Sequence, residues 1–246
     1  EVFNLRNLWF FWGWLDIRQR YRRSLLGPLW VTMTMAVSIF ATGFVYAYLF
    51  KQNISEYLPY VAAGFVIWSL ISGYICEAGS VIYLNEGFIN QIRLPVLIYP
   101  TRLLWRYIIL FLHHMLVLII VLFLYLPFSI KTLSAASFGF ILTCINLYWI
   151  GIVLGLLSLR LRDIPILVTT IFQVLFLITP IIWPAKALQS KIWIVFWNPF
   201  YHLIESIRMP LIEGITSQWY LHISVLTVTG MFGSILAFIL LSSWKK

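Results

Sequence analysis

The stretch Arg20–Trp30, RYRRSLLGPLW, limits what this chain can fold into more than any other part of it. Three arginines, Arg20, Arg22 and Arg23, stand directly before an uncharged run from Ser24 to Phe50. An apolar stretch of about 20 residues is enough to cross a bilayer. Cationic side chains rest among anionic lipid headgroups but cost a few kcal/mol each at the bilayer centre. The cluster therefore pins this end of a first membrane span to the cytoplasmic side. Gly27-Pro28 fits the boundary, because Pro28 suits the first turn of a new helix and Gly27 lets the chain bend before it.

Composition supports the same class. The chain is 62% hydrophobic with only 10% charged residues, and its mean hydropathy is +0.93. Those values lie outside the range of water-soluble globular domains. A net charge of +9 could suggest nucleic acid, yet the basic residues are spaced between apolar runs and are not gathered on one polar face. A membrane protein that obeys the positive-inside bias has the same excess, so no nucleic-acid partner is expected. Cys76 and Cys144 both fall inside apolar runs and read as small packing residues, not as a disulfide or metal site. The first apolar run is too long for a removable signal peptide and lacks a small-residue cleavage site. The chain opens at Glu1 and not at Met, so native residues are expected to precede it.

In chain order, Leu5, Leu8, Trp9, Trp12 and Leu15 recur at helical spacing, with Arg6, Asp16, Arg18 and Arg20 on other faces. Aromatic residues beside basic ones describe an amphipathic helix in the membrane interface. Trp9, Trp12, Arg18, Arg20, Arg22 and Arg23 are its candidates for meeting lipid headgroups or a diphosphate. Six apolar runs follow: Leu29–Phe50, Tyr60–Tyr83, Leu103–Leu126, Ala136–Leu159, Ile164–Trp183 and Tyr220–Trp244. With the amino terminus inside, Arg6, Arg18, Arg20, Arg22, Arg23, Arg93, Arg102, Arg106, Arg160, Arg162, Lys245 and Lys246 are cytoplasmic. Only Lys51, Lys131, Lys186, Lys191 and Arg208 lie outside. Twelve against five sets the orientation, with both termini cytoplasmic. The expected fold is an all-α integral membrane protein with six transmembrane helices per subunit, an interface helix and a re-entrant periplasmic helical hairpin. It forms a single membrane domain over 1–246. Within it, 1–26 is the interface helix and basic linker, and 29–183 holds spans one to five with a cytoplasmic loop at 84–98. Residues 184–219 form the re-entrant segment, and 220–246 the last span and tail.

Small residues recur at helix-packing spacing: Gly151 and Gly155, then Ser69, Gly73, Cys76 and Ser80, then Gly230 and Ser234. They let backbones approach closely where lipid supplies no hydrophobic drive between helices. Packing within one chain is the plainer reading. Thr32, Ala36, Gly43 and Ala47 on the first span, with Thr170 and Gln173 on the fifth, could equally face a second copy or line a pathway. In the loop Asn85–Pro95, NEGFINQIRLP, apolar Phe88 and Ile89 stand among Glu86, Gln91 and Arg93. A short helix of that kind suits docking on a soluble partner, though a plain connection uses the same residue types. Pro184–Trp219 is rich in Trp, Phe, Ile and Leu, but Trp197-Asn198-Pro199 breaks it into halves too short to span. Two short helices dipping into the outer leaflet satisfy their own backbone. As a periplasmic gate they would rely on Pro184, Trp193, Trp197, Asn198, Pro199, Phe200 and Tyr201.

Isolated polar residues complete the pattern. Glu77 and Arg106, near the inner ends of the second and third spans, are placed to form an ion pair. His113 and His114 point about 100° apart on a helix, which suits interhelical hydrogen bonds better than a shared metal. Arg162-Asp163 reads as an inner-surface anchor capping the fifth helix ahead of Pro165. GxxxxGK[ST], HExxH, CxxC and paired carboxylates within a loop are all missing, so no enzymatic chemistry and no cofactor of the chain's own are expected. Residue chemistry leaves channel, transporter subunit and membrane scaffold open.

RYRRSLLGPLW closely resembles the signature of the permease subunits of ABC exporters for surface polysaccharides: O-antigen, teichoic acid and, more distantly, capsule. The likeness continues in order through EYLPYVAAGFVIWS at Glu56–Ser69, NEGFINQIRLP, LRLRDIP at Leu159–Pro165, ITPIIWP at Ile178–Pro184 and WNPF at Trp197–Phe200. GPLW at Gly27–Trp30, the Glu86–Pro95 loop and His113 look closer to the O-antigen and teichoic acid branches, with O-antigen favoured. The resemblance implies a homodimer in the bacterial inner membrane with two copies of a separate P-loop ATPase, which binds the ATP and magnesium. It also implies that the loop after the second span is a coupling helix and that the hairpin before the last span is a gate. The implied substrate is a long glycan on a polyprenyl-diphosphate lipid. A related exporter for another lipid or drug shares this fold and partner, and a stand-alone channel is the reading from a different class.

Overall fold

The computed structural model describes residues 5–20, 22, 24, 27, 29–85, 87, 91, 94–126 and 129–244. Among them the fold is helical, with no strand. In chain order the helices are α1 (Arg6–Arg20), α2 (Leu29–Leu49), α3 (Ile54–Val81), α4 (Ile98–Tyr125), α5 (Ile130–Arg160), α6 (Ile164–Ile178), α7 (Trp193–Phe196), α8 (Pro199–Ile212) and α9 (Ser217–Trp244). Short 3₁₀ stretches occupy Tyr83–Asn85 and Ala185–Lys191.

Five of these helices, α2, α3, α4, α5 and α9, are long and apolar enough to cross a membrane. α3, α4 and α5 each start about one turn or more before the apolar runs seen in the sequence. An apolar run ends at its first polar residues, whereas a helix continues through them while its backbone bonds hold. Glu56 in the first turn of α3 suits the positive end of the helix dipole, and Pro59 removes only one backbone bond there. Where the sequence predicts a fifth span over Ile164–Trp183, the helix stops at Ile178. Thr179 is extended and closes the last turn by donating its N–H to the Leu175 carbonyl. At 15 residues α6 is about 22 Å long.

α3 is the centre of the molecule, packed by α2, α4, α5, α6 and α8. In its most apolar stretch 72% of the residues are buried within the chain, against 22% for α2 and for α9. Gly151 and Gly155 of α5 are what allow this. A Cβ on Gly151 would overlap the Tyr74 ring of α3, and one on Gly155 would meet Ile82 Cδ1 at 2.7 Å. That pairing joins two helices of one chain. α9 packs on α5 through Asn146, whose amide donates to the Leu226 carbonyl (2.9 Å) and accepts from Thr229 Oγ1 (2.9 Å). Gly230 lies in this seam, but Ser234 is exposed, so the two do not share a packing face. The seam continues through Gly233 and Ala237, three and seven residues on from Gly230. Cys76 and Cys144 sit half-buried in α3 and α5.

The first helices alternate direction, so the start of α4 and the end of α3 share one end of the bundle with α1. The start of α3 and the end of α6 share the other with α8. These are the arginine end and the capped end.

Candidate functional site

At the arginine end, α1 lies across the beginning of α4. Gly13 and Ile17 are buried there, and a Cβ on Gly13 would stand 2.7 Å from Trp105 Cδ1 and 3.3 Å from the Arg102 carbonyl oxygen. Phe10 meets Trp105 edge-on at 4.4 Å. Asp16 takes Arg102 with both oxygens, Nε donating to Oδ2 at 2.8 Å, and Arg106 Nη1 stands 3.8 Å from Oδ2. Arg106 also pairs with Glu77 of α3, which accepts from Tyr107 Oη at 2.8 Å. The guanidinium of Arg102 lies 5.2 Å over the Trp12 ring. A polar gap of about 80 Å³ remains among Asp16, Glu77, Arg102 and Arg106. The pair of Glu77 with Arg106 is the one the sequence indicates. Asp16 is different: helical periodicity puts it with the solvated arginines, and the structure turns it inward. Its signal is that it is the lone carboxylate between Glu1 and Glu56. Trp9 and Trp12 are half-buried, Arg18, Arg20 and Arg22 are exposed, and Arg23 lies outside the described residues. Of the docking-loop candidates, Gln91 is helical and exposed, while Glu86, Phe88, Ile89 and Arg93 also lie outside them.

The capped end is built on carbonyls that α6 leaves behind. Tyr57 Oη donates to Ile182 O (2.6 Å), and Tyr60 Oη reaches Pro180 O and Trp183 O at 3.1 Å each. Asn198 caps α8 by accepting from Phe200 N–H (3.0 Å), and its amide donates to Thr179 Oγ1 (2.8 Å). Pro199 follows in the first turn, where its missing N–H costs nothing. Asn198-Pro199 thus sets the bend ahead of α8, as the sequence suggests. The first half of the expected hairpin is only the 3₁₀ stretch and the four-residue α7. Tyr201 is buried and Phe200 packs on Phe172 at 5.0 Å, but Trp193 and Trp197 are 59% and 82% exposed. These two tryptophans do not hold the segment down. Every residue from Tyr201 to Pro210 is buried.

That burial exposes what the sequence reading missed. Arg208, counted there among the outer loop charges, is enclosed beside Glu205, which it pairs with one turn along α8. Its guanidinium stacks 3.9 Å over Tyr60, and Gly64 leaves room for it, since a Cβ there would stand 3.3 Å from Nη1. On the same helix His202 Nε2–H donates to Phe196 O (2.8 Å), so its Nδ1 must accept from Nδ1–H of His222 on α9, 2.8 Å away. Burial pushes the His202 imidazole below its ordinary pKa, only partly opposed by the Phe196 carbonyl and Glu205. Trp219 Nε1–H adds a bond to Ser206 O (3.0 Å). The signal was the spacing in YHLIESIRMP, which puts His202, Glu205 and Arg208 within two turns of a proline-bounded apolar helix. Beneath α8 lies a cavity of about 500 Å³, with Pro184 at its edge.

The remaining candidates divide by helix. Thr32 Oγ1 donates to His113 O at 3.3 Å, a Cβ on Gly43 would overlap Leu58, Ala47 packs with Tyr57 and Val61, and Ala36 packs on the core. This side of α2 packs against α3 and α4 of the same chain, with Gly43 and Ala47 buried and Thr32 and Ala36 half-buried. Thr170 and Gln173 are exposed on α6. His114 Nδ1 bonds Ser69 Oγ at 2.9 Å, and a Cβ on Gly73 would overlap Tyr107. Asp163 stands at the start of α6 without a side-chain cap bond, because its own backbone is helical there.

Known proteins are similar to the chain over most of its length. A protein named "O-antigen export system permease protein RfbA" from Klebsiella pneumoniae is 24% identical over 232 residues, covering 94% of this chain and 89% of that protein. A second of the same name and organism is 23% identical, covering 88% and 83%. One of that name from Myxococcus xanthus is 20% identical over 199 residues, covering 78% and 74%. The family model described as ABC-2 type transporter matches residues 8–212. That match runs from α1 to the end of α8 and so takes in both charged ends, and the chain belongs to the ABC-2 type transporter membrane family.

Proposed function

We propose that the chain is the permease subunit of an exporter that moves a polyprenyl-diphosphate-linked surface polysaccharide, O-antigen above all, across the bacterial inner membrane. The observation that carries this reading is the near full-length likeness to O-antigen export permeases. Membership in the family implies pairing with an ATPase subunit and argues against a stand-alone channel. Two copies of this chain and two of the ATPase make the working unit, and ATP and magnesium belong to the partner.

In this reading both termini are cytoplasmic and the arginine end faces the cytoplasm. α6 followed by Thr179–Pro184 is the shortened fifth of six spans. α1 lies at the interface, with Phe10, Phe11 and Trp14 exposed on one side and Arg18 and Arg20 at its end. The ion pairs of Asp16 join α1 to α4, and Glu77 stands about one turn before the end of α3, which leads into the loop at 84–98. That position supports a role for the loop in receiving the ATPase. The α7–α8 segment is the outer gate.

The decisive experiment is deletion of the chain in its host, followed by extraction of lipid-linked glycan. Export failure with glycan accumulating inside supports the reading. Unchanged surface glycan, with loss of another amphipathic lipid from the outer leaflet, would replace it with the related lipid exporter.

A further inference from the structure

One carboxylate oxygen at the cavity beneath α8 is left over by helix packing. Glu205 is 6% exposed and borders the cavity. Its Oε1 accepts from Arg208 Nη2, while Oε2 accepts no hydrogen bond among the described residues. Unlike the unpaired Arg208 nitrogens, Oε2 is not closed to solvent. Those nitrogens lie against Gly64 and the Tyr60 ring, so Arg208 balances the charge of Glu205 and meets nothing in the cavity itself. Buried polar atoms are satisfied in nearly all proteins, so a free carboxylate oxygen at a cavity wall points to a donor from outside the chain.

The walls set the charge and shape of that donor. Lys186 pairs with Glu213 at 3.3 Å and Arg208 with Glu205. Glu56, on the same wall, is left without a paired cation among the described residues. The balance favours a cation and works against a phosphate or carboxylate. Tyr57 also borders the cavity, with its hydroxyl committed to Ile182 O. What it offers is ring surface, and an aromatic face attracts an ammonium group through its quadrupole. A primary ammonium brings three donors and no acceptor, which suits an oxygen that only accepts. Leu126, Ile192 and Ile212 add apolar wall to a volume of about 500 Å³, within the roughly 300–1,000 Å³ of small-molecule sites. That is far more room than an ammonium ion fills, so the ligand has an apolar body.

The geometry points to this cavity as a site for the primary ammonium group of an amphipathic molecule at the capped end. The ammonium donates to Glu205 Oε2, and the hydrocarbon body lies along Leu126 and Ile212. Two sources carry this chemistry: an ethanolamine phospholipid of the surrounding leaflet and a free alkylamine. The inference needs the long helices to cross a membrane and nothing about what is exported.

The test titrates the whole protein in detergent and counts bound molecules by native mass spectrometry. The probes are dihexanoyl phosphatidylethanolamine, its N-acetyl derivative, dihexanoyl phosphatidylglycerol and octylamine. Saturable binding of the ethanolamine lipid or of octylamine is expected, and whichever binds more tightly names the source. The N-acetyl derivative lacks the charge and should bind about tenfold more weakly than its parent, the value of one charge-assisted hydrogen bond. Glu205→Gln should weaken amine binding by a similar factor. Because Glu205 also balances Arg208, that variant is paired with one that leaves both in place. Gln218→Trp, at the exposed rim of the cavity, should abolish binding and keep the parent's unfolding temperature. The site is overturned if neither amine saturates, if the N-acetyl derivative or phosphatidylglycerol binds as well as the amines, or if Gln218→Trp leaves binding unchanged.

Discussion

The two ends of the bundle hold their charges in opposite ways. At the arginine end, Asp16, Glu77, Arg102 and Arg106 come from three helices, and their side chains are 15–38% exposed. Each charge has more than one partner or some access to water. At the capped end, Glu205 and Arg208 come from one helix and are 8% and 1% exposed. They have each other, the Tyr60 ring and little else. A shared, half-wet network ties helices together and tolerates loss of a member. A dry pair on one helix adds little net stability but makes each partner indispensable to the other.

The largest expected effect follows from that dryness. Arg208→Ala leaves Glu205 buried without a counter-charge, which costs about 3–5 kcal/mol. The Glu205→Leu/Arg208→Leu double variant removes both charges and should recover much of that loss. Thermal unfolding of the purified protein in detergent measures both. A single variant as stable as its parent would mean that water reaches the pair and that the contrast between the ends is smaller than the structure suggests.

Much of this was readable in the sequence, for reasons that differ by region. The apolar runs of α2, α3, α4, α5 and α9 are legible because lipid demands length and apolarity together. The pair of Glu77 with Arg106 is legible because an intramembrane carboxylate needs a cation. The end of α6 is not legible because Pro180, Ile181, Ile182 and Trp183 are apolar, and hydropathy alone does not register a helix that ends at Ile178. The burial of Arg208 is not legible because charge counting treats any arginine between spans as a loop residue, whereas α8 folds back and encloses it. The exposure of Trp193 and Trp197 is not legible, because residue type alone suggests that tryptophan in an apolar segment buries itself. The Nδ1-to-Nδ1 contact of His202 with His222 spans 20 residues, and no local pattern indicates it.

An intermediate effect is expected at the arginine end. Asp16→Ala removes the partner of Arg102 and the second partner of Arg106, but both guanidinia keep access to water or to Glu77. After allowance for solvent screening the cost is about 1–2 kcal/mol, well below that of Arg208→Ala. The loss should fall on α1 and not on the core. Protease cleavage within residues 5–20 should quicken while cleavage elsewhere does not change, and the difference from the parent should shrink as salt is raised. Equal destabilisation by Asp16→Ala and Arg208→Ala would erase the distinction between a shared network and an isolated pair.

The smallest effect concerns the capped end again, at residues a few positions apart in the chain and opposite in burial. Tyr201, in the first turn of α8, is enclosed next to Phe196 at 5.8 Å and His222 at 5.3 Å. Truncating it to alanine removes a large buried ring and should cost about 3–5 kcal/mol. Trp197 and Trp193 present most of their rings outward, so Trp197→Ala and Trp193→Ala should each stay within about 0.5 kcal/mol of the parent. Their effect on the membrane-embedded protein carries separate information. If the same two variants are neutral in detergent monomers but lower stability by more than about 2 kcal/mol in the assembled transporter, those rings are covered in the assembly by a surface that one chain does not contain. Equal stability in both settings would mean that they face lipid or water throughout, and that α8 is held without them, by Asn198, Phe200, Tyr201, Arg208 and the His202–His222 and Trp219–Ser206 contacts.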